Sequence, residues 1–165
     1  MMWGTGAGLR RWPALLGLVL AGVLIAGRGN ALAQGIGFHG GVTVDPDQGH
    51  FGTFLETNAL VYRLHFRPGI TAGFGDHVTL ATIDFIFVYR FPLGTSGWSL
   101  YQGSGPVLAI YKFDEAFWGV RETDLRGGLD VLFGVSHDSG FFTEIRVGAA
   151  DSPNLRAGAG FKVAF

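Results

Sequence analysis

Residues 154–165 read NLRAGAGFKVAF, and this stretch decides the fold because its apolar and polar residues alternate. Successive residues of a β-strand point to opposite faces of the sheet. Arg156 and Lys162 therefore share one face of this segment. The other face is apolar and carries Leu155, Ala157, Ala159, Phe161, Val163 and Phe165. The alternation predicts a strand with one apolar and one polar face.

The same period of two recurs toward the N-terminal side, and turn-forming residues such as Gly, Asp, Ser and Pro separate the repeats. Pro68 and Pro106 lie inside two of the predicted strands, and each removes a hydrogen-bond donor, so we expect an irregularity at both. The pattern predicts eight strands, at residues 35–44, 50–57, 60–74, 78–92, 98–113, 125–136, 141–149 and 154–165.

The N-terminal residues have a different character. Arg10 and Arg11 precede a continuous apolar run at residues 14–26, and small residues follow at positions 31 and 33. This order is typical of a secretory signal peptide. The apolar run is short of the roughly 18–20 residues that a membrane-spanning helix needs. We expect residues 1–33 to be removed by cleavage before Gln34, leaving residues 34–165 as one barrel domain.

Composition excludes several functions. Residues 34–165 carry nine basic and 13 acidic side chains, a net charge of −4, and the chain has no cysteine. Nucleic acid is therefore not an expected partner. We also expect no cofactor and no metal site, because the five histidines show no ligand spacing and no phosphate-binding, dinucleotide or zinc motif occurs.

The charged residues are sorted by position. Most basic residues, with four acids, fall on the polar strand faces, and the other acids fall in turns. Such sorting suits a narrow barrel whose interior charges pair, with glycines leaving room for them. The predicted interior network comprises Glu56, Arg63, Arg67, Asp84, Arg90, Lys112, Arg126, Asp130, Glu144, Arg146, Arg156 and Lys162.

Aromatic residues gather near the strand ends. One group surrounds the turn at residues 93–97, and a second surrounds the long loop at residues 114–124. Rings at both boundaries are typical of the girdles of membrane barrels. The groups are Tyr89, Phe91, Trp98 and Tyr101, and Tyr111, Phe113, Phe117 and Trp118.

In pattern, length and a C-terminal strand ending in Phe165, the chain resembles the small eight-stranded bacterial outer-membrane barrels of the OmpA/OmpX type. The resemblance implies an all-β, eight-stranded antiparallel up-and-down transmembrane barrel in the cell outer membrane. It also implies that Phe161, Val163 and Phe165 form an assembly signal for the barrel assembly machinery. The expected partners are membrane lipid and lipopolysaccharide, and we expect a monomer with both termini in the periplasm.

An eight-stranded barrel is just wide enough for side chains to fill it, so we expect no wide pore and a non-catalytic structural, envelope or surface-interaction role. One alternative is a hydrolase similar to lipid A deacylases, with His137, Ser139 and Glu144 as catalytic residues. Another is a secreted soluble barrel that binds a ligand on an apolar interior. The direction of Phe85 and Phe87 distinguishes the soluble barrel from the membrane barrel.

Overall fold

The computed structural model describes residues 33–75, 78–113 and 123–165, so all of the predicted signal peptide except Ala33 lies outside the described residues. Every named element in these ranges is a β-strand. The strands are β1 (Ala33–Val44), β2 (Gln48–Thr57), β3 (Leu64–Phe74), β4 (Val78–Pro92), β5 (Trp98–Phe113), β6 (Thr123–His137), β7 (Phe141–Ala150) and β8 (Leu155–Ala164). Among the described residues, no helix is long and apolar enough to cross a membrane.

Each strand pairs antiparallel with the next, and the sheet closes because β1 also pairs with β8. The closing ladder runs without a register shift from Gly35 opposite Ala164 to Val44 opposite Leu155. The first strand begins and the last strand ends at the same end of the barrel, which we call the terminal end. The predicted all-β, eight-stranded up-and-down barrel is confirmed.

The apolar faces of the strands point outward. On β4, Phe87 is 46% exposed, whereas its neighbours Ile86 and Val88 are 1% exposed or less. Phe38, Phe133 and Phe161 are likewise exposed on β1, β6 and β8. A water-soluble barrel would bury such side chains in its core, so the outer wall suits an apolar solvent.

The start of β3 differs from the sequence-based prediction. Leu60, Val61 and Tyr62 belong to an exposed turn rather than to the strand, and β3 begins at Leu64. Arg63 has a φ of +64°, in the left-handed region, which breaks the extended conformation at this point. Because apolar and polar residues alternate through this turn as well, the predicted strand was longer than the observed one.

Both prolines interrupt a ladder. Pro68 lies opposite Phe85 of β4, and on its other side the ladder between β2 and β3 ends at Phe54 opposite Gly69. Beyond that point, side chains join the two strands: the Phe66 amide donates to Thr57 Oγ1 at 3.0 Å. At Pro106 the β4–β5 ladder lacks the two pairs between Asp84–Val107 and Phe87–Ser104, and the register is the same on both sides of this gap. The expected irregularities are confirmed, and their cause is the missing amide hydrogen.

The interior contains an apolar layer that the sequence analysis missed. Ile86 and Val88 lie between Asp84 and Arg90 on the inward face of β4, so the layer separates polar side chains at two depths. Glycine makes room for it: a Cβ at Gly134 would overlap the Tyr101 ring. The glycine therefore accommodates a ring here, rather than a charge. The layer consists of Phe54, Ile86, Val88, Tyr101, Val107, Leu132 and Phe142.

The connection between β7 and β8, at residues 151–154, turns into the mouth of the barrel opposite the terminal end. Ser152 is 4% exposed, Pro153 is fully buried, and the Ser152 hydroxyl donates to the Asp130 carboxylate inside the barrel. A Cβ at Gly148 would overlap the Pro153 carbonyl oxygen, so this insertion needs glycine. The β7–β8 connection is therefore a loop that folds into the barrel mouth and contacts the interior.

Candidate functional site

Six charged side chains form a continuous chain of ion pairs in the middle of the barrel, which we call the inner network. Arg67 Nη2 lies 2.8 Å from Glu144 Oε2, and Arg146 Nη2 lies 2.7 Å from Glu144 Oε1. Arg146 Nη1 continues the chain to Asp84 Oδ2 at 3.0 Å. Since β3, β4 and β7 supply these side chains, the contacts join strands across the interior. The members are Arg67, Asp84, Asp130, Glu144, Arg146 and Arg156.

The inner network continues toward the mouth that the β7–β8 loop folds into. Arg156 Nη2 lies 3.7 Å from Asp84 Oδ1 and also pairs with the Asp130 carboxylate. Asp130 in turn accepts the hydrogen bond from Ser152. Three arginines meet three acids, and every member is at most 4% exposed, so the network is balanced in charge and almost completely buried.

Aromatic side chains hold the first arginine of the inner network in place. The Arg67 guanidinium carbon lies 3.5 Å from the centroid of the Phe54 ring, and Phe54 meets Phe142 edge-on at 5.5 Å. The Tyr101 hydroxyl donates to Glu144 Oε2 at 3.0 Å. Cation–π contact and the tyrosine hydrogen bond therefore couple the inner network to the apolar layer.

Three further charged side chains lie on the terminal-end side of the apolar layer, and we call them the terminal-end cluster. Glu56 is completely buried and accepts hydrogen bonds from Arg90 Nη2 on both oxygens, at 2.9 and 2.7 Å. Lys162 Nζ also donates to Glu56, at 2.7 Å. Arg90 Nη1 donates to Ser136 Oγ at 2.9 Å. This cluster has two cations for one carboxylate, so it carries one excess positive charge.

The terminal-end cluster faces a cavity of about 480 Å³, which we call the terminal-end chamber. The side chains of Arg90 and Lys162 are 18% and 19% exposed, so solvent reaches both of them. Phe54, Tyr101 and Phe142 of the apolar layer line the chamber, together with Arg67 of the inner network. Its polar lining includes Ser99, Ser136, His65, His137, Asp138 and Ser139.

The structure does not place three residues of the predicted network inside. Arg63 is exposed in the turn before β3, where its guanidinium carbon lies 4.9 Å from the Tyr62 ring centroid. Lys112 follows the outward alternation of β5 and is also exposed. Arg126 lies on the inward side of β6 but at the rim, with its side chain 43% exposed. The predicted interior position is therefore wrong for Arg63 and Lys112, and Arg126 belongs to the rim.

Two rings of the predicted girdle are also placed differently. Tyr111 lies on the inward side of β5 at the rim, where the Arg126 guanidinium carbon lies 5.2 Å from its ring centroid. Tyr101 is 3% exposed and points into the barrel, where it belongs to the apolar layer. Phe91 and Trp98 are 40% and 39% exposed on the outer wall, as a girdle requires. Phe117 and Trp118 lie outside the described residues.

Two of the three candidate hydrolase residues lie together, but the proposed acid does not join them. His137 Nδ1 lies 2.9 Å from Ser139 Oγ, but the Ser139 amide also donates to the same nitrogen at 3.1 Å, as in a local turn. Glu144, the proposed acid, instead pairs with Arg67 and Arg146. Both oxygens of Glu144 are engaged there, and its described partners do not include His137. The arrangement orients a turn and leaves the histidine without its acid.

Histidines cluster inside the barrel, although not as a metal site. His39 and His50 are 8% exposed and their ring centroids lie 5.8 Å apart. His50 Nδ1 makes a 2.9 Å hydrogen bond with Thr43 Oγ1, and His39 Nε2 lies 3.5 Å from Thr71 Oγ1. Among the described residues, no group of three or more His, Asp, Glu or Cys side chains could hold a metal ion.

Comparison with known proteins shows the fold. No protein-family model and no curated protein matches the chain. Among solved structures, Neisserial surface protein A (NspA) is similar with a TM-score of 0.63 at 18% identity, over 79% of this chain and 95% of that one. The N-terminal β-barrel domain of Pseudomonas aeruginosa OprF gives 0.60 at 12% identity, over 79% and 98%. The chain therefore has the fold of the small eight-stranded outer-membrane barrels.

A third similarity is weaker. Ail, the attachment invasion locus protein of Yersinia pestis, was solved in complex with the heparin analogue sucrose octasulfate. It aligns with a TM-score of 0.45 at 14% identity, over 78% of this chain and 95% of that one.

Proposed function

We propose that the chain is an integral outer-membrane barrel protein with a non-catalytic structural, envelope or surface-interaction role and no wide pore. The observation that carries the proposal is that apolar side chains lie on the outer wall of the barrel and charged side chains lie inside it, the reverse of a soluble barrel. Phe87 and Phe133 are 46% and 53% exposed on the outer wall, while Glu144 and Arg146 are each 4% exposed inside. An apolar wall around a charged interior is stable in hydrocarbon, and it would promote aggregation in water.

Fractionation of expressing cells tests the location. We expect the protein in the outer-membrane fraction after a urea wash. We also expect the unboiled protein to run faster on a gel than the boiled protein, because a closed barrel resists detergent unfolding. Recovery as a soluble periplasmic or secreted protein would support the ligand-binding barrel instead.

The absence of a wide pore is tested by conductance. Ile86, Leu132 and Phe142 fill the interior between the two groups of charges, and Ser152 and Pro153 of the β7–β8 loop are buried in one mouth. We expect no stable channel openings in planar bilayers containing the purified protein. Reproducible single-channel steps that are lost on boiling would contradict this part of the proposal.

The non-catalytic role is tested on lipid A. Because Glu144 is held by two arginines, we expect no release of fatty acid by the purified protein. As a control, Ser139→Ala should leave the behaviour of the protein unchanged. Fatty-acid release that Ser139→Ala abolishes would establish the hydrolase.

The remaining parts of the proposal concern export and assembly. We propose a signal peptide cleaved before Gln34, periplasmic termini, a monomer in contact with lipopolysaccharide, and recognition of Phe161, Val163 and Phe165 by the assembly machinery. Phe161 and Val163 are 49% and 50% exposed on the outer wall, where a partner could contact them. Mass spectrometry of the purified protein tests the cleavage. Phe165→Ala should reduce the amount of folded barrel, whereas Leu155→Ala on the same face should not.

A further inference from the structure

We propose that the terminal-end chamber binds a phosphate group, which the excess positive charge of Arg90 and Lys162 would hold. The inference goes beyond a structural role, because it assigns a ligand-binding site to the barrel interior. It starts from the charge of the terminal-end cluster, where, within the described ranges, Glu56 is the one carboxylate paired with Arg90 and Lys162. In a surrounding of low dielectric constant, an excess charge of this kind attracts an ion of opposite sign.

Several hydrogen-bond donors remain available to the phosphate group. A lysine ammonium has three donors, and among the described residues Lys162 uses one of them, toward Glu56. Ser136 accepts from Arg90 at 2.9 Å, which leaves its own hydroxyl hydrogen free to donate into the chamber. A phosphate offers three strong acceptor oxygens, so it can meet the ammonium, the hydroxyl and the guanidinium together.

The shape of the chamber favours binding over passage. Its volume of about 480 Å³ exceeds that of a single oxyanion, so a larger body attached to the phosphate also has room. Phe54, Tyr101 and Phe142 line the chamber together with Arg67, whose charge is already paired with Glu144, so the unbalanced positive charge is that of Arg90 and Lys162. Asp138 lines the chamber, but among the described residues no ion pair joins it to either cation.

The experiment is a calorimetric titration of the purified protein in a maltoside detergent, with inorganic phosphate as the probe. Lys162→Gln should weaken phosphate binding at least about tenfold, a free-energy change of about 1.4 kcal/mol. Glu56→Gln should strengthen binding, since it removes the competing carboxylate. Lys162→Arg should retain binding, because it retains the charge.

Arg126→Gln is the matched control, since it removes one cation from the rim at the other end of the barrel. It should leave phosphate affinity unchanged. The gel shift on boiling shows for each variant that the barrel is folded. If the wild-type protein binds no phosphate, or if Lys162→Gln and Arg126→Gln weaken binding equally, the proposal is overturned. Neither result would affect the outer-membrane location, which fractionation tests separately.

The source of the phosphate is distinguished by repeating the titration in phospholipid nanodiscs. A lipid headgroup that occupies the chamber would compete, so inorganic phosphate would bind in detergent and bind much more weakly in the nanodiscs. A free phosphate ligand would bind with the same affinity in both. Either result supports an oxyanion site, and the pair of measurements identifies its occupant.

Discussion

The inner network and the terminal-end cluster use the same side-chain chemistry at two depths of one barrel. The inner network has three arginines and three acids, each at most 4% exposed. The terminal-end cluster has two cations and one acid, and its cations are 18% and 19% exposed. Balance and burial make the first group a structural element. Imbalance and access to solvent leave the second group able to bind a ligand.

The largest expected effect comes from breaking the inner network at its centre. Glu144→Ala leaves Arg67 and Arg146 without their shared carboxylate in a region that water does not reach. We expect the free energy of unfolding to fall by about 3–5 kcal/mol, the usual cost of an uncompensated buried charge. Denaturant unfolding in detergent, or the temperature at which the gel shift disappears, measures it. Asp130→Ala should behave similarly, and wild-type stability in both variants would contradict the role of the network.

The next effect concerns the apolar layer that keeps the two groups apart. Leu132→Ala removes a completely buried side chain and should cost about 2–5 kcal/mol through lost burial and the cavity that remains. Leu129→Ala is the control on the same strand, since Leu129 is 56% exposed on the outer wall. Its loss should be smaller because lipid or detergent can fill the gap. Equal losses would mean that the interior is not packed as a core.

A smaller effect is expected at the terminal-end cluster. Glu56→Ala leaves Arg90 and Lys162 without their carboxylate, but both already reach solvent. We expect a loss of about 1–3 kcal/mol, below that of Glu144→Ala, because water takes over part of the lost hydrogen bonding. Parallel unfolding curves for the two variants make the comparison. A loss at Glu56 that exceeds the loss at Glu144 would reverse the distinction between the two groups.

The smallest effect is expected at the rim. Arg126 and Asp124 form a 2.7 Å ion pair with side chains 43% and 42% exposed. Arg126→Gln should therefore change stability less than any of the preceding variants, and added salt should reduce the difference further. Unfolding curves at low and high salt test this. A salt-independent loss comparable to that of Glu144→Ala would show that the rim continues the inner network.

Alternation predicted the face of most strand residues, with Lys112 on β5 as an exception, and it predicted most strands to within a few residues. It does not predict depth along the barrel axis. Arg126 is on the inward side as expected, yet it lies at the rim, whereas Arg146 on the inward side of β7 is buried. The prediction for Arg63 is wrong for a different reason. Arg63 has a left-handed φ, so the backbone is not extended there, although the sequence still alternates between apolar and polar residues.

The apolar layer was hidden by its neighbours. Residues 85–89 are apolar or aromatic on both faces, so Ile86 and Val88 did not stand out as inward-facing residues. Ile86 and Val88 have even numbers, as Asp84 and Arg90 do, and this shared parity was the evidence that they face inward. The terminal-end chamber could not be predicted, because its lining comes from strands and turns far apart in the sequence.

The inserted β7–β8 loop has a practical consequence for protein engineering. A peptide tag placed at residues 151–154 would have to displace Pro153 and the Ser152–Asp130 hydrogen bond, so surface display at this position would compromise the barrel. Residues 93–96 form an exposed turn at the terminal end. That turn is the better graft site, although it presents the tag at the opposite end of the molecule.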